Sequence, residues 1–158
     1  MPRQFFVIAH NIRSLHNVGS IFRTADAFGV TKLFLTGYTG APPDPKIAKV
    51  ALGAEKFVPW EQCRSVAAAI KKLRAVYPSI IAAGLENNLP EAYKRRLVDL
   101  NRFKPKFPLA LILGEEVGGI SKSLFKYCDK FLEIPMRGKK ESLNVSVAFG
   151  VAAYQITK

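Results

Sequence analysis

The chain has 158 residues, of which 24 are Lys or Arg and 12 are Asp or Glu, so its net charge is +12. This length fits one domain, and a domain of this size buries about two-thirds of its unfolded surface. No apolar run could span a bilayer, the N-terminus does not resemble a signal peptide, and the two cysteines lack metal-ligand spacing. We therefore expect a cytoplasmic protein with reduced cysteines.

The basic charge is the strongest bulk signal. On so small a domain, this excess favours a polyanionic partner over a merely solubilising surface. No basic amphipathic helix with exposed bulky apolar residues indicates a membrane surface instead. The basic residues form four clusters, at 71–74, 94–96, 102–106 and 137–140.

Short apolar runs alternate with amphipathic stretches along the chain. The pattern predicts strands at 4–9, 32–36, 57–59, 79–85, 109–113 and 131–134. It predicts helices at 18–28, 46–52, 65–76, 121–128 and 145–156. Residues 86–108 contain three prolines and no steady period, so we expect mostly loop with a helical turn near 90–96. Short strands that are apolar on both faces and separated by helices predict an α/β fold with a mainly parallel sheet flanked by helices.

The first motif-sized stretch is 11–26. Asn17 is predicted to cap the helix at 18–28, and Gly29 to end it. Gly19 lies four residues before Arg23, so the guanidinium could lie over the bare glycine backbone near the helix start, where a phosphate would fit. An ordinary surface arginine beside a helix cap explains the same residues equally well.

The second stretch, 111–121, joins a buried strand to a glycine-rich turn that carries Glu115 and Glu116. Ligands bind at such strand ends in open α/β sheets. The pattern is neither a dinucleotide fingerprint nor a P-loop, and a tight connection without a ligand remains an alternative.

The third stretch, 134–156, runs from a strand end through a basic turn into a helix that Ser142 or Asn144 can cap. The helix is apolar nearly all round, which predicts a sheet on one side and a second subunit on the other. Gly150 in mid-helix predicts a close approach to its backbone. A buried helix with a polar cap is the alternative. No nucleophile–base set or metal site accompanies these residues.

Together, the three stretches resemble the SpoU (TrmH-like) branch of the SPOUT RNA methyltransferases in order and spacing. The resemblance covers nearly the whole chain, without departure at the motif positions. It is carried by residues 17–19 with 23–26, by 113–116 with 119–121, and by 134–138 with 142–146.

This resemblance implies an α/β knot, in which the C-terminal segment is threaded into a trefoil. We expect one SpoU methyltransferase catalytic domain over 1–158, without the extra N-terminal RNA-binding domain that many relatives carry. It also implies S-adenosylmethionine as cofactor and a ribose 2′-hydroxyl of structured RNA as acceptor, with tRNA favoured over rRNA. The implied partners are RNA and a second copy bound through the C-terminal helix, with no DNA and no membrane.

The family's functional residues carry over position by position. The implied cofactor contacts are Gly84, Leu85, Gly114, Ile134, Met136 and Leu143. The implied catalytic set is Arg23, Asn17, Glu116, Ser142 and Asn144, with no metal. The family assigns the arginine as general base, but a guanidinium hardly deprotonates. We expect Arg23 to grip the phosphate beside the target ribose and to stabilise the developing alkoxide, while the other four residues position the reactants.

Two other classes of function stay open from the residues. A non-catalytic RNA-binding module would keep the fold but show an eroded cofactor pocket. A nucleotide-using enzyme of doubly wound topology would need a glycine-rich turn after the first strand, where this chain has residues 10–13, His-Asn-Ile-Arg.

Overall fold

Seven parallel strands form one sheet in the computed structural model, which describes residues 3–158. The strands are β1 (Phe5–His10), β2 (Lys32–Thr36), β3 (Trp60–Cys63), β4 (Ile81–Leu85), β5 (Leu97–Asp99), β6 (Leu109–Leu113) and β7 (Lys130–Glu133). Their order across the sheet is β3-β2-β1-β6-β4-β7-β5, and every neighbouring pair is parallel. The predicted α/β architecture with a parallel sheet is therefore confirmed.

Four α-helices cover the sheet within the described residues. They are α1 (Leu15–Ala27), α2 (Pro45–Ala51), α3 (Val66–Val76) and α4 (Val145–Thr157). Short 3₁₀ helices lie at Ala54–Lys56, Glu91–Arg96, Leu100–Arg102 and Lys122–Tyr127. No helix between residues 3 and 158 has the length and apolarity needed to cross a bilayer.

The central strands feed two separate cores because successive side chains point to opposite faces of a sheet. In β1, Phe5, Val7 and Ala9 pack with α1 and α4, whereas Phe6 and Ile8 pack with α3 on the other face. The same alternation holds in β6, whose five residues are all buried. Burial on both faces explains why these strands have continuous apolar sequences.

Several predicted boundaries are wrong. Residues 57–59 are not a strand, because β3 begins at Trp60; the segment 121–128 forms a 3₁₀ helix rather than an α-helix; and β5, a strand of three residues, was not predicted. Helix α1 begins at Leu15 because Ser14 caps it. The Ser14 Oγ accepts a hydrogen bond from the backbone N–H of Asn17 at 3.1 Å. The predicted capping role of Asn17 is therefore wrong.

Gly19 packs against helix α2 rather than lying under the Arg23 side chain. A Cβ atom at this position would lie 2.6 Å from the Ile47 carbonyl oxygen and 2.9 Å from the Val50 Cβ. Helix α2 therefore occupies the space above Gly19, and the prediction that Arg23 covers this glycine is wrong. The close contact between α1 and α2 depends on the missing side chain.

The surroundings of Gly150 are less crowded than those of Gly19. Among residues 3–158, a Cβ atom there would meet only the Thr24 Cγ2, at 4.0 Å, which is an ordinary van der Waals contact. Within this part of the chain, the predicted close approach to Gly150 is therefore wrong.

We expect Gly19→Ala to lower the free energy of unfolding by about 1–3 kcal/mol, because the added methyl group overpacks the α1–α2 contact. Urea denaturation followed by circular dichroism measures this change. The matched control is Gly138→Ala, since no atom of residues 3–158 lies within 4 Å of a Cβ atom at that position. The control should change the free energy of unfolding by less than about 0.5 kcal/mol. Equal stabilities for the two variants would contradict the packing role of Gly19.

Candidate active site

A cleft of about 240 Å³ lies where the carboxyl ends of β4, β6 and β7 meet the segment before α4. The site thus occupies the edge of the sheet where ligands bind in open parallel α/β folds. Five of the six residues predicted to contact a cofactor line it, namely Leu85, Gly114, Ile134, Met136 and Leu143.

The sixth predicted contact, Gly84, does not line the cleft. It is buried within β4, where a Cβ atom would meet the Ile120 Cδ1 at 3.0 Å and the Cys128 Sγ at 3.1 Å. A side chain at Gly84 would therefore point into the packed interior of the sheet, and the predicted cofactor contact of this residue stays a prediction.

The glycine-rich turn after β6 closes on itself. Glu115 and Gly119 exchange two backbone hydrogen bonds, of 3.1 and 3.0 Å. A Cβ atom at Gly114 would lie 2.3 Å from the Gly119 carbonyl carbon, and Gly119 has a φ of 66°. Both glycines are required by the tight turn itself, which forms one wall of the cleft.

Glu116 joins this turn to the start of α1. Its carboxylate accepts the backbone N–H groups of Arg13 at 3.0 Å and Ser14 at 2.9 Å, together with the Asn17 side-chain N–H at 3.2 Å. Burial alone would raise the pKa of Glu116, but these donors outweigh it and hold the pKa below its ordinary value. Glu116 is therefore a charged anchor at neutral pH.

Asn17 extends this hydrogen-bonded network to the start of α4. Its Oδ1 accepts from the Asn144 Nδ2 at 3.2 Å. The Asn144 Oδ1 in turn accepts the backbone N–H groups of Ser146 at 2.9 Å and Val147 at 3.3 Å, which caps α4. Of the two predicted caps, Asn144 is the one that the structure uses.

The predicted catalytic residues therefore fall into three groups. Asn17, Glu116 and Asn144 form one hydrogen-bonded network, and Ser142 lies exposed in the wall of the cleft. Arg23 is exposed and is not among the residues that line the cleft. It follows the first residue of α1 by eight positions, which is about 12 Å along the helix axis. The prediction that Arg23 sits at the helix start is wrong, because α1 begins earlier than expected.

Glu86 is a cleft residue that the sequence analysis missed. Its carboxylate accepts the backbone N–H groups of Ile120 at 2.8 Å and of Asn87 and Asn88 at 3.2 Å each. It directly follows β4, so the criterion that selected Glu115 and Glu116, a carboxylate just after a buried strand, would also have found it.

The lining of the cleft is acidic although the protein is basic. Of the 12 acidic residues in the chain, five line this cleft: Glu86, Glu115, Glu116, Glu133 and Glu141. Leu85, Ile134 and Leu143 supply apolar surface beside them. Such a lining suits a ligand that combines an apolar ring with positive charge.

Known proteins are similar to this chain over nearly its whole length. A 23S rRNA (guanosine-2′-O-)-methyltransferase RlmB from Pseudomonas putida is 30% identical over 152 residues, which are 96% of this chain and 58% of that protein. The chain spans 57 to 58% of the length of such curated relatives.

Solved structures share the fold. The SpoU methyltransferase AviRb from Streptomyces viridochromogenes, in complex with AdoMet, matches with a TM-score of 0.85 at 26% identity, over 98% of this chain and 57% of that one. A structure that describes the 2-OH methylation of C/U34 on tRNA matches with a TM-score of 0.83 at 24% identity, over 98% of this chain and 95% of that one. At that identity, the second likeness shows the fold alone.

Residues 4–154 match the model of the SpoU rRNA Methylase family. Since the matched residues run from before β1 into α4, the chain belongs to the SpoU rRNA Methylase family.

Proposed function

We propose that this chain transfers the methyl group of S-adenosylmethionine to a ribose 2′-hydroxyl of structured RNA. The observation that carries the proposal is the cleft, which gathers five predicted cofactor contacts at the carboxyl edge of a SpoU-type fold. A similar structure holds AdoMet, and a relative is named for guanosine-2′-O methylation. An RNA-binding module without catalysis would not need to retain this cleft.

The lining of the cleft fits the proposed cofactor. Leu85, Ile134 and Leu143 offer apolar surface for an adenine ring. The cofactor carries positive charge on its sulfonium and its amino group, and the acidic lining favours both charges. When bound, the cofactor supplies an electrophilic methyl group.

The residues of this chain would then align the acceptor. The 2′-oxygen forms a bond to the methyl carbon while the carbon–sulfur bond breaks, and the hydroxyl proton leaves to solvent or to a nearby base. Correct alignment alone can contribute up to about 7–11 kcal/mol of barrier reduction. The network of Glu116, Asn17 and Asn144 serves this alignment by fixing the two walls of the cleft relative to α1.

Arg23 acts on RNA rather than on the cofactor in this proposal. Its guanidinium is exposed on α1, outside the cleft. A fixed cation there grips the phosphate beside the target ribose and stabilises negative charge that develops on the 2′-oxygen.

The favoured RNA is tRNA, and rRNA is the alternative. The net charge of +12 supports a polyanionic substrate of either kind. A TrmH-family relative from Bacillus subtilis is named for tRNA and rRNA together, which supports either substrate. The RlmB relative supports rRNA instead.

We also propose the trefoil knot and the homodimer of the family. The knot is what the resemblance to the family implies, and the family match over residues 4–154 supports it. For the dimer, α4 buries Phe149, Ala152, Ala153 and Ile156, whereas Val147, Val151 and Tyr154 are 52%, 42% and 62% exposed. An apolar stripe of this kind on an otherwise packed helix favours a protein–protein contact.

The wild-type protein is expected to bind S-adenosylmethionine saturably and to methylate RNA, while Arg23→Ala lowers methyl transfer by about 100-fold or more. The cofactor dissociation constant should stay within about twofold, because Arg23 lies outside the cleft. Isothermal titration and tritium transfer to bulk tRNA and rRNA measure the two quantities. Resistance of the product linkage to alkali identifies the 2′-oxygen as the methylated atom.

Lys130→Ala is the control, because Lys130 is also an exposed cation but begins β7, at the end of the strand opposite the cleft, and belongs to none of the four basic clusters. It should retain transfer within about threefold of the wild type. Wild-type turnover by Arg23→Ala would refute its assigned role, and absence of cofactor binding by the wild type would refute the function.

Glu116→Gln should lower the free energy of unfolding at pH 7 by about 1–3 kcal/mol, because an amide cannot accept all three donors. The lowered pKa of Glu116 means that its stabilisation is present above the unfolded-state value of 4.5 and is lost as the pH falls through the lower folded-state value. Urea denaturation between pH 7 and pH 3 should therefore show a shallower acid dependence for the variant. Glu91→Gln is the control, since the Glu91 side chain is 89% exposed.

Val147→Glu combined with Val151→Glu should convert a dimer into a monomer, because two charges would be buried in the proposed contact. Light scattering coupled to size exclusion measures the mass. Val76→Glu is the matched control, because Val76 is 68% exposed on α3, which packs on the other face of the sheet. A wild-type monomer, or a dimeric double variant, would contradict the interface.

A further inference from the structure

Tyr38 is an exposed aromatic residue that is held in place from three sides. It lies in the loop after β2, and 53% of its surface is exposed. Its backbone N–H donates to the Asn11 Oδ1 at 3.1 Å, and its hydroxyl donates to the Glu115 Oε2 at 3.2 Å. The Arg13 guanidinium carbon lies over the ring, 5.9 Å from its centroid.

The backbone beneath Tyr38 is unusual. Asn11 has a φ of 54° and Gly37 a φ of 63°, so two residues in the left-handed region meet here. A Cβ atom at Gly37 would lie 1.9 Å from the Asn11 Oδ1, so only glycine allows the contact that orients Tyr38. Strained backbone of this kind concentrates at functional sites. The structure therefore uses a costly conformation to present an aromatic ring to solvent.

Tyr38 lies between two features that RNA would use. Its hydroxyl contacts Glu115, which lines the cofactor cleft. Its ring contacts Arg13, which lines a neighbouring basic hollow with His16, Lys46 and Lys49. The ring thus contacts one residue of each feature, and nucleotides whose phosphates are bound in the hollow would lie within reach of it.

We infer that Tyr38 is a stacking platform for an unpaired nucleobase of the RNA, with Arg13 backing the ring. The inference rests on the proposed function and names how the same site would hold its substrate. Proteins bind unpaired bases by stacking them on aromatic side chains and on guanidinium planes. A base pair inside a helix could not use the ring, because both of its faces are already covered by its neighbours. Tyr38 therefore favours a target ribose in a loop or at an unpaired position.

The hydrogen bond from the Tyr38 hydroxyl to Glu115 is also consistent with a different role, in which Tyr38 only stabilises the turn after β6. The two roles respond differently to substitution. Tyr38→Phe and Tyr38→Trp keep a stacking ring but lose the hydroxyl, whereas Tyr38→Leu keeps apolar bulk and loses both.

The test uses two fluorescein-labelled RNA probes with equal numbers of phosphates: a hairpin with a seven-nucleotide loop and a blunt duplex. Fluorescence anisotropy gives the dissociation constants of the wild type and of each variant at several salt concentrations. Tyr38→Leu should weaken hairpin binding by about 5- to 100-fold and leave its salt dependence unchanged, because a stacked base is lost but no phosphate contact is. Duplex binding should change by less than about twofold, and the Phe and Trp variants should bind both probes like the wild type.

Lys49→Ala is the charge control. It should weaken binding of both probes and reduce the slope of log K against log[salt] by about 0.7–0.9. Wild-type binding of the hairpin by Tyr38→Leu, equal losses on both probes, or a Phe variant as weak as the Leu variant would each overturn the stacking role. Titration with S-adenosylmethionine separates the two proposals: retained cofactor binding with unaltered hairpin binding refutes only the platform, whereas a wild type that binds no cofactor refutes the function.

Discussion

A single carboxylate connects the parts of the chain that form the site. Glu116 accepts from the backbone of Arg13 and Ser14 and from the side chain of Asn17, which lie about a hundred residues earlier. Asn17 then accepts from Asn144, the cap of α4. Removing the carboxylate would leave donors at the start of α1 without partners, and unpaired donors in a half-buried position are costly. The geometry of the cleft therefore depends on one residue that need not touch either reactant.

Charge is distributed so that the two proposed ligands meet different surfaces. The chain has a net charge of +12, yet five carboxylates line the cleft. A cationic cofactor is favoured inside the cleft, whereas RNA phosphates are repelled from it and attracted to the surrounding basic surface. In the proposed function, this separation would keep the RNA backbone at the mouth of the cleft, so that a ribose could approach without its phosphates entering. Bulk composition indicated the polyanion, but only the fold shows where the acidic residues collect.

The sequence predicted best where burial alone decides structure. The bounds of β6, Leu109–Leu113, agree with the prediction, because a short continuous apolar run is typical of a parallel strand that is buried on both faces. The start of α1 was mispredicted because Asn17 has the side chain of a cap but is already engaged by Glu116, a contact between distant residues. Strand β5 was missed because its three residues are only half-buried at the sheet edge. For Gly19, the tight spacing to α2 could not be derived from local pattern, since Ile47 and Val50 lie on a different element.

The remaining prediction concerns α4, and it bears on the proposed catalysis. The sequence predicts a sheet on one side of this helix and a second subunit on the other, and the chain itself covers the face that carries Phe149 and Ile156. The exposed face adjoins α1, because Phe28 packs edge-on against Tyr154 and Thr24 lies beside Gly150. Arg23 directly precedes Thr24 in the chain and lies outside the cleft of its own protomer. A second subunit packed on the exposed stripe of α4 would therefore lie beside the part of α1 that carries Thr24 and Phe28. In the proposed dimer, α1 carries both the residues that adjoin the contact surface and the arginine proposed to grip RNA.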